Sequence, residues 1–166
     1  GVLYRQVNAS YRDDYDHLMQ SGLYSALTDE GLLIPHAEVG AAAAAGPGAF
    51  QVLLPEPVPF VSYPYEWCFS EWRAAALATL AIQRKALSFG MSLKDASAYN
   101  IQIRRGKPVL IDTLSFERYR EGTPWVAYRQ FCQHFLLPLA LMCRTDIRLG
   151  QLLQVHLDGV PLDLGS

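Results

Sequence analysis

Two short apolar runs flank the dipeptide Arg105-Gly106, and this arrangement constrains the fold more than any other feature of the chain. The runs alternate apolar with polar positions, and their apolar members are Ile101, Ile103, Val109 and Ile111. Alternation of this kind indicates β-strands, and a glycine supplies the positive φ angle that a tight turn requires. The sequence therefore predicts a β-hairpin that turns at Gly106.

Three oxygen-bearing side chains are spaced so that this hairpin would gather them. Asn100 precedes the first strand and Asp112 follows the second, so pairing brings both to the open end. Asp95 lies five residues before Asn100, on the loop that leaves a long predicted helix. Carboxylate and amide oxygens suit Mg²⁺, which usually takes one or two carboxylates plus substrate phosphates. The spacing therefore favours a metal–phosphate site.

Other interpretations of the same three residues remain open. Asp95 and Asn100 could instead close a turn through side chain–backbone hydrogen bonds, and Asp112 could do the same at a strand end. The carboxylates would also suit a metal-dependent hydrolase, which would cleave its substrate without ATP.

The remaining patterns predict a mostly helical chain. Apolar spacing predicts helices over residues 10–27, 69–90 and 125–143, with Pro138 as a kink in the last one. The face of the second helix is expected to comprise Phe69, Trp72, Ala76, Leu80 and Leu87. Residues 40–48, rich in alanine and glycine, indicate a flexible loop.

Composition narrows the class of protein. The 166 residues are 51% hydrophobic and 18% charged, which favours one globular domain. The net charge of −2 argues against nucleic acid or acidic lipid as a partner. Three scattered cysteines fit reduced thiols, and neither a membrane span nor a signal peptide is recognisable. We expect a cytoplasmic protein without a membrane or nucleic-acid partner, and a piece of a longer chain.

The spacing Asp95-x-x-x-x-Asn100, followed by a hairpin and Asp112, resembles the catalytic and metal-binding segments of protein-kinase-like phosphotransferases, including the aminoglycoside-phosphotransferase-like group. The resemblance implies an α+β kinase-like fold. Residues 1–60 would form a minimal small lobe, and residues 61–166 a mainly helical large lobe.

This resemblance also implies roles for individual residues. Asp95 would be the catalytic base, and Asn100 and Asp112 would hold the Mg²⁺ that accompanies ATP. Lys94 and Arg5 would contact the nucleotide, and the alternative for Lys94 is a solvated side chain. The phosphate acceptor is unidentified.

The chain departs from the kinase pattern in ways that leave catalysis open. "LKD" stands where the family has H-R-D, and "DTL" stands where it has D-F-G. No lysine precedes Lys85, so the lysine of the small lobe is missing, and Arg5 or Arg12 would have to replace it. Glu38 would be its acidic partner. The domain is therefore either an active phosphotransferase or a pseudokinase-like relative.

A second resemblance concerns the segments "FVSYPYEW", "LKDASAYNIQ", "IDTLSFE" and "PWVAYRQFCQHFL". Together they resemble the N-terminal region of bacterial nodulation-protein-like SAM-dependent methyltransferases. The resemblance implies that a C-terminal methyltransferase domain follows this region. Since this chain has no acidic-GxGxG strand and loop for S-adenosylmethionine, methyltransferase activity would lie in that other domain. The chain would then be a non-catalytic accessory domain.

Overall fold

In the computed structural model, which describes residues 1–40 and 46–165, a three-stranded antiparallel sheet forms the N-terminal part of the chain. Its strands are β1 (Arg5–Asn8), β2 (His36–Glu38) and β3 (Ala49–Pro55), with β3 in the centre. β3 can take the central place because its one proline, Pro55, is its last residue. Most of the loop predicted at 40–48 falls on residues 41–45, outside the described residues.

Two helices replace the single helix predicted over residues 10–27. A 3₁₀ turn at Ala9–Tyr11 leads into α1 (Arg12–Gln20), and α2 (Leu23–Asp29) follows. The break falls at Gly22, whose φ of 87° is outside the helical region. Glycine adopts this conformation without steric cost, so the chain turns between the two helices at this residue.

The long helix is confirmed as α3 (Phe69–Ser88), and its predicted face is correct in part, since Trp72 and Ala76 are buried and Phe69 packs against the core. Leu80 and Leu87 are both exposed. The buried face consists of Trp72, Ala75, Ala76, Ala78, Thr79, Ile82, Gln83 and Ala86. Small alanines allow close approach of the neighbouring strands and helices, so the alanine-rich side packs inward and the leucines lie outside.

The predicted hairpin is confirmed, and a second strand pair lies beside it. The hairpin strands are β5 (Ile101–Arg104) and β6 (Lys107–Leu110). Arg105 and Gly106 both have positive φ angles, 52° and 74°, as a type I′ turn requires. β4 (Met91–Leu93) pairs with β7 (Phe116–Arg118), an antiparallel pair that the sequence patterns did not predict.

The last long helix starts later than predicted and contains a π-helical segment. It comprises α4 (Tyr128–Phe131), the π segment Cys132–Leu136 and α5 (Leu137–Arg144). The π segment lies directly before the turn that carries Pro138, which cannot donate a helical hydrogen bond. The wider turn lets the helix continue through the proline.

One large hydrophobic core joins these elements. Its largest buried side chains include Trp72, Phe116 and Phe135. A smaller cluster of Val7, Tyr15 and Leu53 lies between the N-terminal sheet and α1. The C-terminal part adds 3₁₀ helices at Ile147–Gln154 and Leu162–Gly165. Within the described ranges, no helix combines the length and the apolar character that crossing a bilayer demands.

Candidate functional site

Asp112 lies at the open end of the hairpin and forms an ion pair with Arg5. Nη1 of Arg5 donates to Oδ1 of Asp112, which also accepts a bond of 3.0 Å from the backbone N–H of Leu114. Oδ2 accepts a bond of 3.0 Å from the hydroxyl of Ser115. The side chains of Arg5 and Asp112 are 34% and 20% exposed. Both carboxylate oxygens are therefore engaged by donors, one of them cationic.

Asn100 joins the same network through Ser115. The side-chain amide of Asn100 donates to Oγ of Ser115 over 3.4 Å, and the backbone carbonyl of Asn100 accepts from Ile111 over 2.8 Å. The second bond continues the hairpin ladder by one step beyond the paired strands. The hairpin thus brings Asn100 and Asp112 to one place, with Ser115 between them.

Asp95 is held by a different set of contacts. Its Oδ1 accepts bonds from the backbone N–H of Ser97 over 3.0 Å and from the amide of Gln130 over 2.9 Å. The carbonyl oxygen of the same amide accepts from the backbone N–H of Ala96 over 2.6 Å. Gln130 lies on α4, so that helix fixes the loop that carries Asp95. These contacts tie Asp95 to α4 rather than to the Asn100–Asp112 network.

Lys94 points onto an aromatic ring. Its Nζ lies 4.2 Å from the centroid of the Tyr11 ring, a cation–π contact. The hydroxyl of Tyr11 donates to the carbonyl of Phe116 over 2.6 Å. Burial, with a smaller contribution from Asp14, raises the pKa of Tyr11 well above its ordinary value, so this hydroxyl stays protonated. Lys94 therefore packs on the N-terminal helical region.

A hydrogen-bonded chain starts next to Asp112 and ends at Glu38. Tyr15 donates its one hydroxyl proton to Glu38 over 2.6 Å, so Nε2 of His36, 3.1 Å away, must be the donor to that hydroxyl oxygen. Nδ1 of His36 is then free to accept from the hydroxyl of Thr113 over 3.4 Å. Burial lowers the pKa of His36, which favours this neutral form, although Glu38 acts in the opposite direction. Glu38 therefore accepts a hydrogen bond from Tyr15.

The strand before Asp95 is fixed by a buried glutamine. Oε1 of Gln83 accepts from the backbone N–H of Leu93 over 2.7 Å, and its amide nitrogen donates to the hydroxyl of Ser92 over 3.0 Å. The backbone N–H of Lys94 donates to the carbonyl of Ser115 over 2.8 Å. The loops that carry Asp95 and Asp112 therefore leave the same end of the β4–β7 pair.

The predicted site residues thus fall into three groups. Arg5, Asn100 and Asp112 share one network, Lys94 reaches it only through its backbone, and Asp95 binds Gln130. Arg12, the alternative to Arg5, lies over the ring of Phe50 at 4.8 Å. Within residues 1–40 and 46–165, no three His, Cys, Asp or Glu side chains are grouped so that they could hold a metal ion. A cation here would have to take its other ligands from water or a substrate.

Sequence reasoning missed Ser115, Gln130 and Tyr11. The contact of Ser115 could have been predicted from the local sequence, because a serine three residues after an aspartate commonly forms a hydrogen bond to it in a turn. Gln130 and Tyr11 had none, since their contacts join parts of the chain that are distant in sequence.

Comparison with known proteins shows a similarity to a bacterial nodulation protein. No protein-family model matches the chain. Nodulation protein NoeA of Rhizobium meliloti (strain 1021) is 44% identical over 101 residues, which are 61% of this chain and 21% of NoeA. The chain is thus similar to NoeA, and the matched part spans about a fifth of that protein's length.

Proposed function

We propose that this chain is a non-catalytic, kinase-like accessory domain of a SAM-dependent methyltransferase. The observation that carries this proposal is the ion pair between Arg5 and Asp112. In the kinase-like pattern, the aspartate in the position of Asp112 holds a metal ion. Here a guanidinium supplies the positive charge instead, and the remaining oxygen accepts from Ser115. The network is electrically balanced by the chain's own side chains.

The similarity to NoeA supports the accessory role. The matched part is 21% of NoeA, so the longer protein has room for further domains. The resemblance of the chain to the region that precedes a methyltransferase domain adds to this. In this proposal the domain recruits a substrate or regulates the attached enzyme, and the methyl transfer itself takes place elsewhere in the protein.

The accessory role is tested by two assays on the purified chain. We expect phosphate release from Mg²⁺–ATP to be the same for the natural chain and for Asp112→Asn. We expect S-adenosylmethionine not to bind to this chain. Asp146→Asn is a matched control, because Asp146 is also paired with an arginine but lies outside the network. ATP turnover that depends on Asp112, or S-adenosylmethionine binding by the chain alone, would contradict the proposal.

A second proposal is that the domain binds Mg²⁺–ATP and transfers phosphate to an acceptor. The observation that favours it is the hairpin geometry, which places Asn100 and Asp112 together as two oxygen ligands. Asp95 would be the base. Arg5 would then exchange Asp112 for the phosphates, because a guanidinium binds either group by the same charge-assisted hydrogen bonds.

Thermal unfolding with and without Mg²⁺–ATP distinguishes the two proposals. A ligand at about 100 times its dissociation constant adds roughly 2.7 kcal/mol to the free energy of unfolding, which raises the Tm by several degrees. The second proposal expects this shift in the natural chain and in Asp146→Asn, and its loss in Asp112→Asn. If Asp112→Ala unfolds the protein, Asp112 is structural and the second proposal is weakened.

A further inference from the structure

An apolar cleft of about 480 Å³ lies beside the Arg5–Asp112 pair. We call it the β1–β3 cleft, and its principal lining residues are Arg5, Ile34, Leu54, Val58, Val61 and Ile111. This volume falls within the range of roughly 300–1,000 Å³ that is typical of small-molecule sites.

Residues 56–62 form the outer wall of the cleft, and hydrogen bonds hold this segment at both ends. At one end the backbone N–H of Glu56 donates to the carbonyl of Pro35 over 2.8 Å, and its carboxylate accepts from Arg104 over 2.5 Å. At the other end the buried amide of Gln102 exchanges two hydrogen bonds, of 2.9 and 3.0 Å, with the backbone of Ser62. A ligand would not have to pay for ordering this wall.

The outer wall of the cleft offers few free hydrogen-bond donors to a ligand. Pro55 and Pro57 carry no N–H, and the N–H of Glu56 is already used. The amide of Gln102 is committed to Ser62. A polar ring system would therefore lose its hydrogen bonds to water in this cleft without replacing them. An apolar ligand has no hydrogen bonds to water to lose when it enters the cleft.

Arg5 adds a positive charge to the lining. The carboxylate of Glu56, which also lines the cleft, is neutralised by Arg104. Arg5 engages Asp112 through Nη1, while a guanidinium has five N–H donors. Its side chain is one-third exposed. It can therefore hold a second carboxylate without releasing Asp112.

We infer that the β1–β3 cleft binds a small amphiphilic anion, with an apolar chain against Ile34, Leu54 and Ile111 and a carboxylate on Arg5. A cleft of this volume holds one small molecule. The inference goes beyond the proposed function and does not depend on whether the domain also binds a nucleotide.

Titration calorimetry with three probes tests the inference. Decanoate has both the chain and the charge, 1-decanol has only the chain, and acetate has only the charge. We expect saturable binding of decanoate, at least about tenfold weaker binding of 1-decanol, and no measurable binding of acetate, since charge-assisted bonds to arginine are worth about this factor. Equal affinity for decanoate and 1-decanol, or no saturable binding of decanoate, would overturn it.

Variants locate the binding within the fold. Arg5→Gln should weaken decanoate binding about tenfold and leave 1-decanol binding unchanged. Arg105→Gln, at the exposed hairpin turn, should change neither. Val61→Asp, at the exposed rim, should weaken both probes. Methyl NMR of the natural chain should show decanoate shifting the signals of Ile34 and Ile111. Shifts confined to other methyl groups, or unchanged decanoate binding in Arg5→Gln, would rule the site out.

Discussion

Arg5 in the first strand is ion-paired with Asp112, 107 positions later in the chain. This contact connects the N-terminal sheet to the end of the hairpin, where Asn100 also lies. The pair is partly buried, so its charges are less screened by solvent than those of an exposed pair. It therefore links the two parts of the fold at the position where the candidate site is found.

The first prediction concerns the strength of this link. Arg5→Gln should lower the free energy of unfolding by about 0.5–1.5 kcal/mol, the range between exposed pairs and hydrogen bonds to charged groups. Denaturant unfolding of Arg5→Gln, Asp112→Asn and the double variant gives the coupling energy between the two residues.

Arg148→Gln is the control for the first prediction. The Arg148 side chain is 82% exposed in its pair with Asp146, so this variant should have almost no effect. A coupling energy between Arg5 and Asp112 no larger than that of the Arg148–Asp146 pair would show that the link does not stabilise the fold.

The second prediction concerns Gln83, the buried side chain that accepts from the backbone of Leu93. Gln83→Leu keeps the size but leaves the N–H of Leu93 without its acceptor, which should cost about 1–3 kcal/mol of unfolding free energy. Amide hydrogen exchange at Leu93 should become faster at the same time. Gln154→Leu, at an exposed position, should change neither quantity. Unaltered exchange at Leu93 would mean that the bond is not needed to hold β4.

The third prediction concerns Gly159, whose φ is 102°. A Cβ atom added there would lie 2.6 Å from Cβ of Gln133 and 3.0 Å from Cδ2 of His134. Gly159→Ala should therefore cost about 1–2 kcal/mol for the backbone conformation and a further ~1–3 kcal/mol for the overlap. Gly106→Ala is the control, since it has a similar φ and no atom within 4 Å of the added Cβ. Equal losses of stability in the two variants would contradict the packing of residue 159 against the π segment.

The fourth prediction concerns the pH dependence of stability. Burial lowers the pKa of His134 below its ordinary value of 6.5, and its Nδ1 accepts from the backbone N–H of Ala98. The unfolded chain therefore takes up the proton first as the pH falls. Stability should be highest above pH 6.5 and should decrease between 6.5 and the lowered pKa of the folded state.

NMR titration of the His134 ring and urea unfolding at several pH values check this prediction. His134→Asn should reduce the slope of stability against pH within that window, whatever its effect on stability at neutral pH. His36→Asn should remove a separate part of the pH dependence of stability, because burial also lowers the pKa of His36. A His134 ring that titrates at or above 6.5 would contradict the buried, neutral form.

The sequence predicted best those elements that neighbouring residues determine. The hairpin of β5 and β6 depends on the turn at Arg105-Gly106 and on the alternation around it, and it was predicted correctly. The helix predicted over residues 125–143 starts later, at Tyr128. A threonine followed by proline, here Thr123-Pro124, is a typical helix N-terminus, yet the hydroxyl of Thr123 donates back to the carbonyl of Arg120. A favourable capping sequence does not begin a helix when the chain bonds elsewhere.

The contacts of the candidate site were predicted only where the hairpin creates them. Asn100 and Asp112 meet because the strands between them pair. The partners Arg5 and Gln130 come from distant segments, and only the packed fold determines their positions. The same holds for Leu80 and Leu87, which share a helix with the core residues but lie outside the core.

The link between Arg5 and Asp112 also sets an order for folding during synthesis. The hairpin joins residues close in sequence, so it can form as soon as β6 is made. β1 can pair with β3 once residue 55 has been added, but its arginine has no carboxylate to meet until Asp112 leaves the ribosome. The ion pair therefore cannot form before Asp112 is available, whereas the pairing of β1 with β3 can.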